Sequence, residues 1–214
     1  MHPRPSFLNG DTDAVTAIAN SPQFPLLQAL DARRSVPARQ LGEPGPSADE
    51  LQRMLASAVR VPDHGKRVPF RFLSIAGHAR DALGEAVAAR GLELHPDAGD
   101  AAVAKDRARF SHAPLVVVVV AVLDPADAAI PEQERLLSAG CACFALLQAA
   151  QGLGFGATWL TGWPAYDSAI LALLGLGADE RIVGFVHIGT PRIEAPERDR
   201  PDPAGLLREW TPSA

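Results

Sequence analysis

Pro114-Leu115-Val116-Val117-Val118-Val119-Val120-Ala121-Val122-Leu123 is the stretch on which the fold turns. Its β-branched side chains are stiff at χ1 and suit a pleated strand better than a helix. Polar residues do not alternate with the valines. A strand with one wet face would show that alternation, so this one is expected at the centre of a sheet, covered on both faces. Leu115 to Leu123 is nine residues long, and a membrane span needs about twenty.

Outward from this strand, the pattern predicts helices before and after it. Residues 131–152 form the longest, with Pro131 at a position a first helical turn tolerates. From Ala139 to Ala150 it is apolar nearly all round, broken only by Gln148. Such a helix needs cover on every side, and a second subunit is expected to supply part of it. Small residues Ala139, Gly140, Ala142 and Ala145 are expected to let two such helices approach. Upstream, Asp100 to Phe110 reads as a polar helix, Gly77 to Arg90 as another, and Phe70 to Ala76 as a strand. Ser47 and Glu50 have the capping-box spacing ahead of Leu51, Met54, Leu55 and Ala58. Leu26, Leu27 and Leu30 mark a short amphipathic helix within 24–34. Ile182 to Ile188 is a further strand. Residues 1–23 read as an extended or partly disordered arm with a short helix near 14–19, residues 24–203 as the folded domain, and 204–214 as a tail.

Helices and strands are interspersed over 214 residues, with no internal repeat and no dividing linker. A single α+β domain follows, long enough to bury about 70% of its unfolded surface. The net charge of −5 and the absence of a basic cluster give no footprint for nucleic acid. The amino terminus lacks an apolar core of signal-peptide length, so a cytoplasmic location is expected. Cys141 and Cys143 project about 200° apart on a helix and are expected to be core residues, not a metal or disulfide pair.

Three clusters could carry chemistry. Arg33-Arg34-Ser35 offers two fork-shaped guanidiniums and a hydroxyl, donors suited to a phosphate; a solvated charge pair closing a helix is the plainer reading. Arg60-Val61-Pro62-Asp63-His64-Gly65 is a charged turn in which His64 could meet a ligand, or simply a turn with a local Asp bond. Thr158-Trp159-Leu160-Thr161-Gly162-Trp163 could lie against a flat ring, or be a buried strand. The six histidines show no metal-ligand spacing. GxSxG and P-loop patterns are absent. Gly152-Leu153-Gly154-Phe155-Gly156 follows a helix instead of opening one, which is the wrong context for a dinucleotide fingerprint and the right one for a helix stop.

In their order along the chain these pieces resemble the nitroreductase family, and within it the small bacterial NAD(P)H nitroreductase branch with an Arg-x-Pro-Asp-His motif. The matching residues are Leu30-x-x-Arg33-Arg34-Ser35; Arg60-Val61-Pro62-Asp63-His64 with Pro69-Phe70-Arg71-Phe72; and Ala113-Pro114-Leu115. They continue with Glu132-Gln133-Glu134, Ser138-Ala139-Gly140-Cys141-Ala142, Gln151-Gly152-Leu153-Gly154, Trp159, and Val183-Gly184-Phe185-Val186-His187-Ile188-Gly189-Thr190-Pro191. The resemblance spans Phe24 to Pro203 and implies an α+β sandwich, a central mixed or antiparallel sheet flanked by helices. It implies a homodimer with FMN at the interface, using NADH or NADPH to reduce nitroaromatics, quinones or related acceptors by hydride transfer through flavin N5 in a ping-pong sequence, with no catalytic side chain required. Carried over by position, Arg33, Arg34 and Ser35 would hold the phosphate and ribityl chain. Arg60 and His64 would reach the flavin from the other subunit, and Trp159, Leu160 and Thr161 would flank the ring. Ala149, Ala150, Gln151, Gly152, Leu153 and Gly154 match a stretch linked to the nicotinamide cofactor. The branch often has a polar or basic residue after the tryptophan, and Leu160 departs from it. A dedicated enone or aldehyde reductase, a flavin sensor or storage protein, and a small hydrolase using His64 and a serine stay open as alternatives.

Overall fold

The computed structural model describes residues 25–212, so the expected arm at 1–23 and its short helix lie outside the described residues. Helices α1 (Pro25–Asp31) and α2 (Ala48–Ala58) flank a two-residue strand, β1 (Leu41–Gly42). Strand β2 (Phe70–Ala76) leads into α3 (His78–Leu94) and α4 (Asp100–Arg107), then β3 (Leu115–Val122). The remainder is α5 (Glu132–Gly152), β4 (Gly156–Leu160), α6 (Ser168–Leu173) and β5 (Glu180–Pro191). All described pairings are antiparallel: β3 lies between β2 and β5, β4 pairs the other edge of β5, and β1 pairs its end. None of the described helices is long and apolar enough to cross a membrane.

The valine strand is central and doubly buried, as its composition requires. Because successive side chains alternate between faces, Leu115, Val117 and Val119 pack with Met54, Ala58, Cys143, Leu146 and Ala150 under α2 and α5. Val116, Val118 and Val120 pack with Leu83, Val87, Phe110, Ile170 and Phe185 on the opposite face. Each layer is a separate core, and β3 feeds both. Ser47 caps α2 as expected: its Oγ accepts from the Glu50 amide, and its own amide donates to Glu50 Oε2 at 2.8 Å. Helix α3 runs four residues past the expected end at Arg90, to Leu94. Asp167 starts helix α6 by accepting from the amides of Ala169 and Ile170. At the end of α5, Gly154 takes φ 84°, the left-handed stop that its glycines suggested.

Two expectations for α5 need correction. Ala139 and Ala142 have no exposed surface; they pack with Phe70, Ala121 and Leu123 of the same chain, so they are not the surface on which two helices meet. Cys143 is buried, and burial pushes its thiol up to about 12, but Cys141 is exposed. The same 200° that separates the two cysteines puts one in the core and one outside. The outward face carries Leu136, Leu137 and Phe144, 45%, 60% and 44% exposed. An Ala142→Arg change is therefore expected to prevent folding of the subunit itself, by burying an unpaired charge at a cost of several kcal/mol. Circular dichroism and urea titration check this; a variant that folds as well as the parent chain would contradict the packing described.

Candidate functional site

The Arg-Arg-Ser segment follows α1 and runs beside β4, held there by the Val36 amide donating to the Ala157 carbonyl at 3.1 Å. Arg33 Nη1 donates to Ser35 Oγ at 3.2 Å. Arg33 and Ser35 meet Trp159, Thr161, Phe144 and Leu147 around one cavity of about 490 Å³. Trp159 is anchored by its Nε1, which donates to the Val183 carbonyl at 3.1 Å. Its indole lies over Gly184, where any β-carbon would collide with the ring. That contact explains why the β5 strand carries a glycine at its centre. Arg34 turns away: it donates to the Asp31 carbonyl at 2.6 Å and pairs with Glu197. It lines an adjoining cavity of about 380 Å³ with Arg33 and Gln151.

On the other side of Ser35 lies a cavity of about 350 Å³ that sequence reasoning missed. Arg39, Lys105, Arg109, His112 and Arg198 line it, together with Leu160. No acidic side chain among the described residues lines it. Asp106 accepts from Arg109 Nη2 at 2.7 Å, but Arg109 Nε is buried without a partner among the described residues. Thr158 lines this cavity and pairs across the strands with His187, whose ring is almost wholly buried and stacks on Phe110, centroids 6.2 Å apart. His187 Nδ1 also lacks a partner among the described residues. Burial, then His112 and Arg109, push the His187 imidazole down to about 4. Burial and Arg39 also hold His112 below its ordinary value. The cationic residues come from three distant stretches, so no local motif marks them; Arg109 and His112 are visible only as neighbours of the valine strand.

Arg60 and His64 lie elsewhere. Neither lines any of these cavities in the single chain. Both are exposed, on the loop between α2 and β2 that docks against the first turns of α5. His64 Nδ1 is 2.6 Å from Glu134 Oε2, and Ser138 Oγ donates to the Pro62 carbonyl at 2.7 Å. The 149–154 stretch is mostly structural in this chain. Ala150 is fully buried; Gln151 Nε2 donates to the Ala29 carbonyl at 2.8 Å; Gly152, Leu153 and Gly154 close the helix on the surface. Gln151 alone of the six lines one of the three cavities.

The sequence pattern of the Nitroreductase family matches residues 30–190. A Haemophilus influenzae protein named "Putative NAD(P)H nitroreductase" is 35% identical over 173 residues, covering 81% of this chain and 91% of that protein. The nitroreductase-like family protein from Bacillus cereus superposes with TM-score 0.73 at 25% identity, over 89% of this chain and 98% of that one. A Bacteroides fragilis nitroreductase crystallised with bound FMN superposes with TM-score 0.65 at 20% identity, over 88% and 100%.

The buried histidine gives the cationic cavity a measurable signature. The unfolded chain protonates His187 near its ordinary 6.5, whereas the folded chain resists protonation down to about 4. Between those values the unfolded state binds the extra proton, so stability is complete above about pH 6.5 and falls as the pH drops toward 4. The loss is expected to be roughly 3 kcal/mol. Urea unfolding across this window checks it, with a His187→Leu variant expected to show a shallower fall. Identical pH dependence in both proteins would remove His187 as the cause.

Proposed function

The chain belongs to the nitroreductase family and is an NAD(P)H-dependent oxidoreductase that uses FMN, and on that premise we propose how it works. We infer that FMN sits between two copies of the chain, and that hydride equivalents pass from NADH or NADPH to nitroaromatic, quinone or related acceptors. The observation that carries this reading is the meeting of Arg33, Ser35, Trp159 and Thr161, from distant parts of the chain, around one cavity. The residues fit the cofactor's chemistry. Arg33 and Ser35 offer charge-assisted and hydroxyl donors suited to a phosphate. The unpartnered Arg109 Nε and the surrounding Arg39 and Lys105 suit an electron-rich polar edge. When bound, FMN supplies a site that accepts hydride and hands electrons on.

The chain's own residues would bind, orient and exclude water. Arg33 and Ser35 would hold the anionic end, with Arg34 keeping the segment in place through Glu197. Trp159, fixed over Gly184, would give the cavity a rigid apolar wall. Arg109 and Lys105 would favour the state in which negative charge has built up beside them. Leu160, 40% exposed at the cationic cavity, would leave one edge of the site apolar. Arg60 and His64 would act across the dimer. Support for the second copy comes from the outer face of α5: Leu136, Leu137 and Gly140 border a cavity of about 720 Å³ with Tyr166, Ile182 and Val183. A cytoplasmic place, where nicotinamides turn over, goes with this reading.

Arg33→Ala and Ser35→Ala are each expected to weaken FMN retention ten- to a hundredfold, about 1.5–3 kcal/mol, without unfolding the chain. The flavin-to-protein absorbance ratio after gel filtration measures this, and full flavin content in both variants would remove the phosphate role.

Anaerobic addition of NADH or NADPH to the yellow protein should bleach the flavin bands, and a panel of acceptors should restore them. A storage protein would not be bleached, and a hydrolase would carry no flavin. Donor and acceptor would use the same space in turn, since the sequence carries no second cofactor fingerprint. Double-reciprocal plots should then give parallel lines; intersecting lines with both molecules bound at once would defeat the shared space.

A further inference from the structure

The geometry points to Glu134 as a positioning residue for His64, one that fixes which imidazole nitrogen is offered outward. His64 Nδ1 is 2.6 Å from Glu134 Oε2. An ionised carboxylate only accepts, so Nδ1 carries the hydrogen of the neutral ring and Nε2 is left as a bare acceptor. A free histidine side chain in water favours the opposite tautomer, so the arrangement is imposed by the fold. The loop that carries His64 is strained to do this. Gly65, Lys66 and Val68 have φ of 69°, 54° and 49°, a region costly for a lysine and more so for a β-branched valine. Asp63 holds the turn, its Oδ1 accepting from the Arg67 amide at 3.0 Å and its Oδ2 from the Val68 amide at 2.8 Å. Ser138 Oγ donates to the Pro62 carbonyl, and Arg67 Nε to Asp127 Oδ2 at 2.7 Å. Asp127 is itself shared with the buried Arg135 of α5. Glu134, Ser138 and Asp127, all from outside the turn's own sequence, therefore clamp a loop that is exposed from His64 to Val68. His64 keeps 62% of its side-chain surface and Glu134 45% in the single chain. That is far more clamping than an idle surface turn needs.

This inference rests on the proposed role of His64 at the flavin of the partner subunit, where Nε2 would accept from an N–H or O–H donor of FMN. The test separates the two. Histidine-selective ¹⁵N NMR of the purified flavin-loaded protein at about pH 8.5, where an ordinary imidazole is neutral, should show His64 as the Nδ1–H tautomer. Glu134→Ala should return it to the Nε2–H form with the melting temperature little changed. FMN dissociation constants of Glu134→Ala, His64→Ala and the double variant should each be raised by roughly tenfold, the double no more than either single. A wild-type His64 found as Nε2–H or as imidazolium, or a tautomer untouched by Glu134→Ala, overturns the role of Glu134. Additive losses in the double variant overturn it as well. A shifted tautomer with unchanged FMN affinity in His64→Ala leaves the positioning intact and overturns the flavin role of His64.

Discussion

One strand with no polar face sets the terms for the rest of the molecule. Five consecutive valines cannot be shown to water on either side, so the chain must build two layers, and it does so with antiparallel neighbours on both edges. Helices α2 and α5 close one face; α3, α6 and Phe110 close the other. The site is a by-product of that arrangement. Strand β4 lies on the far edge of β5, with Val36, directly after Arg33–Ser35, bonded to it, so the sheet's edge borders the cavities.

Polar groups are placed where the two layers run out. His187 lies inside the sheet, between a valine strand and the Thr158 side of β4, where a charge would be costly. Its neutral ring and the unpartnered Arg109 Nε sit beside a cavity lined by the cationic side chains of Arg39, Lys105, Arg109 and Arg198. Buried polar atoms without partners are scarce in folded proteins. Among the described residues four such side-chain atoms stand out, two on Gln148 and one each on Arg109 and His187, and of these residues Arg109 lines the cationic cavity. The same desolvation that lowers the histidine would strengthen every hydrogen bond made in that space.

The chain divides its candidate residues into two groups. Arg33, Ser35, Trp159 and Thr161 share one cavity, while Arg60 and His64 stand on a clamped loop at the other end of α5's buried face. Along α5, Leu136 and Leu137 are exposed, and the exposed Phe144 borders the cavity of the first group. In the proposed dimer, a second copy meeting this surface would bring the two groups together.

The sequence by itself determined the layered plan. The valine run set the central strand, Ser47 and Glu50 set the start of α2, the glycines after Gln151 set the end of α5, and the order of the short motifs identified the family. Those signals are local: side-chain branching, hydrogen-bond reach over three residues, and backbone freedom. Tertiary structure alone decided the rest. It showed that Ala139 and Ala142 pack inward, because helix phase is fixed by which neighbours happen to lie against it. It gathered Arg39, Lys105, Arg109, His112 and Arg198 into one cavity from three separate stretches. It also set Glu134 against His64, 70 residues apart in sequence. A contact across that separation leaves no periodic trace in the chain, since only the packing of the loop on the helix brings the two side chains within reach.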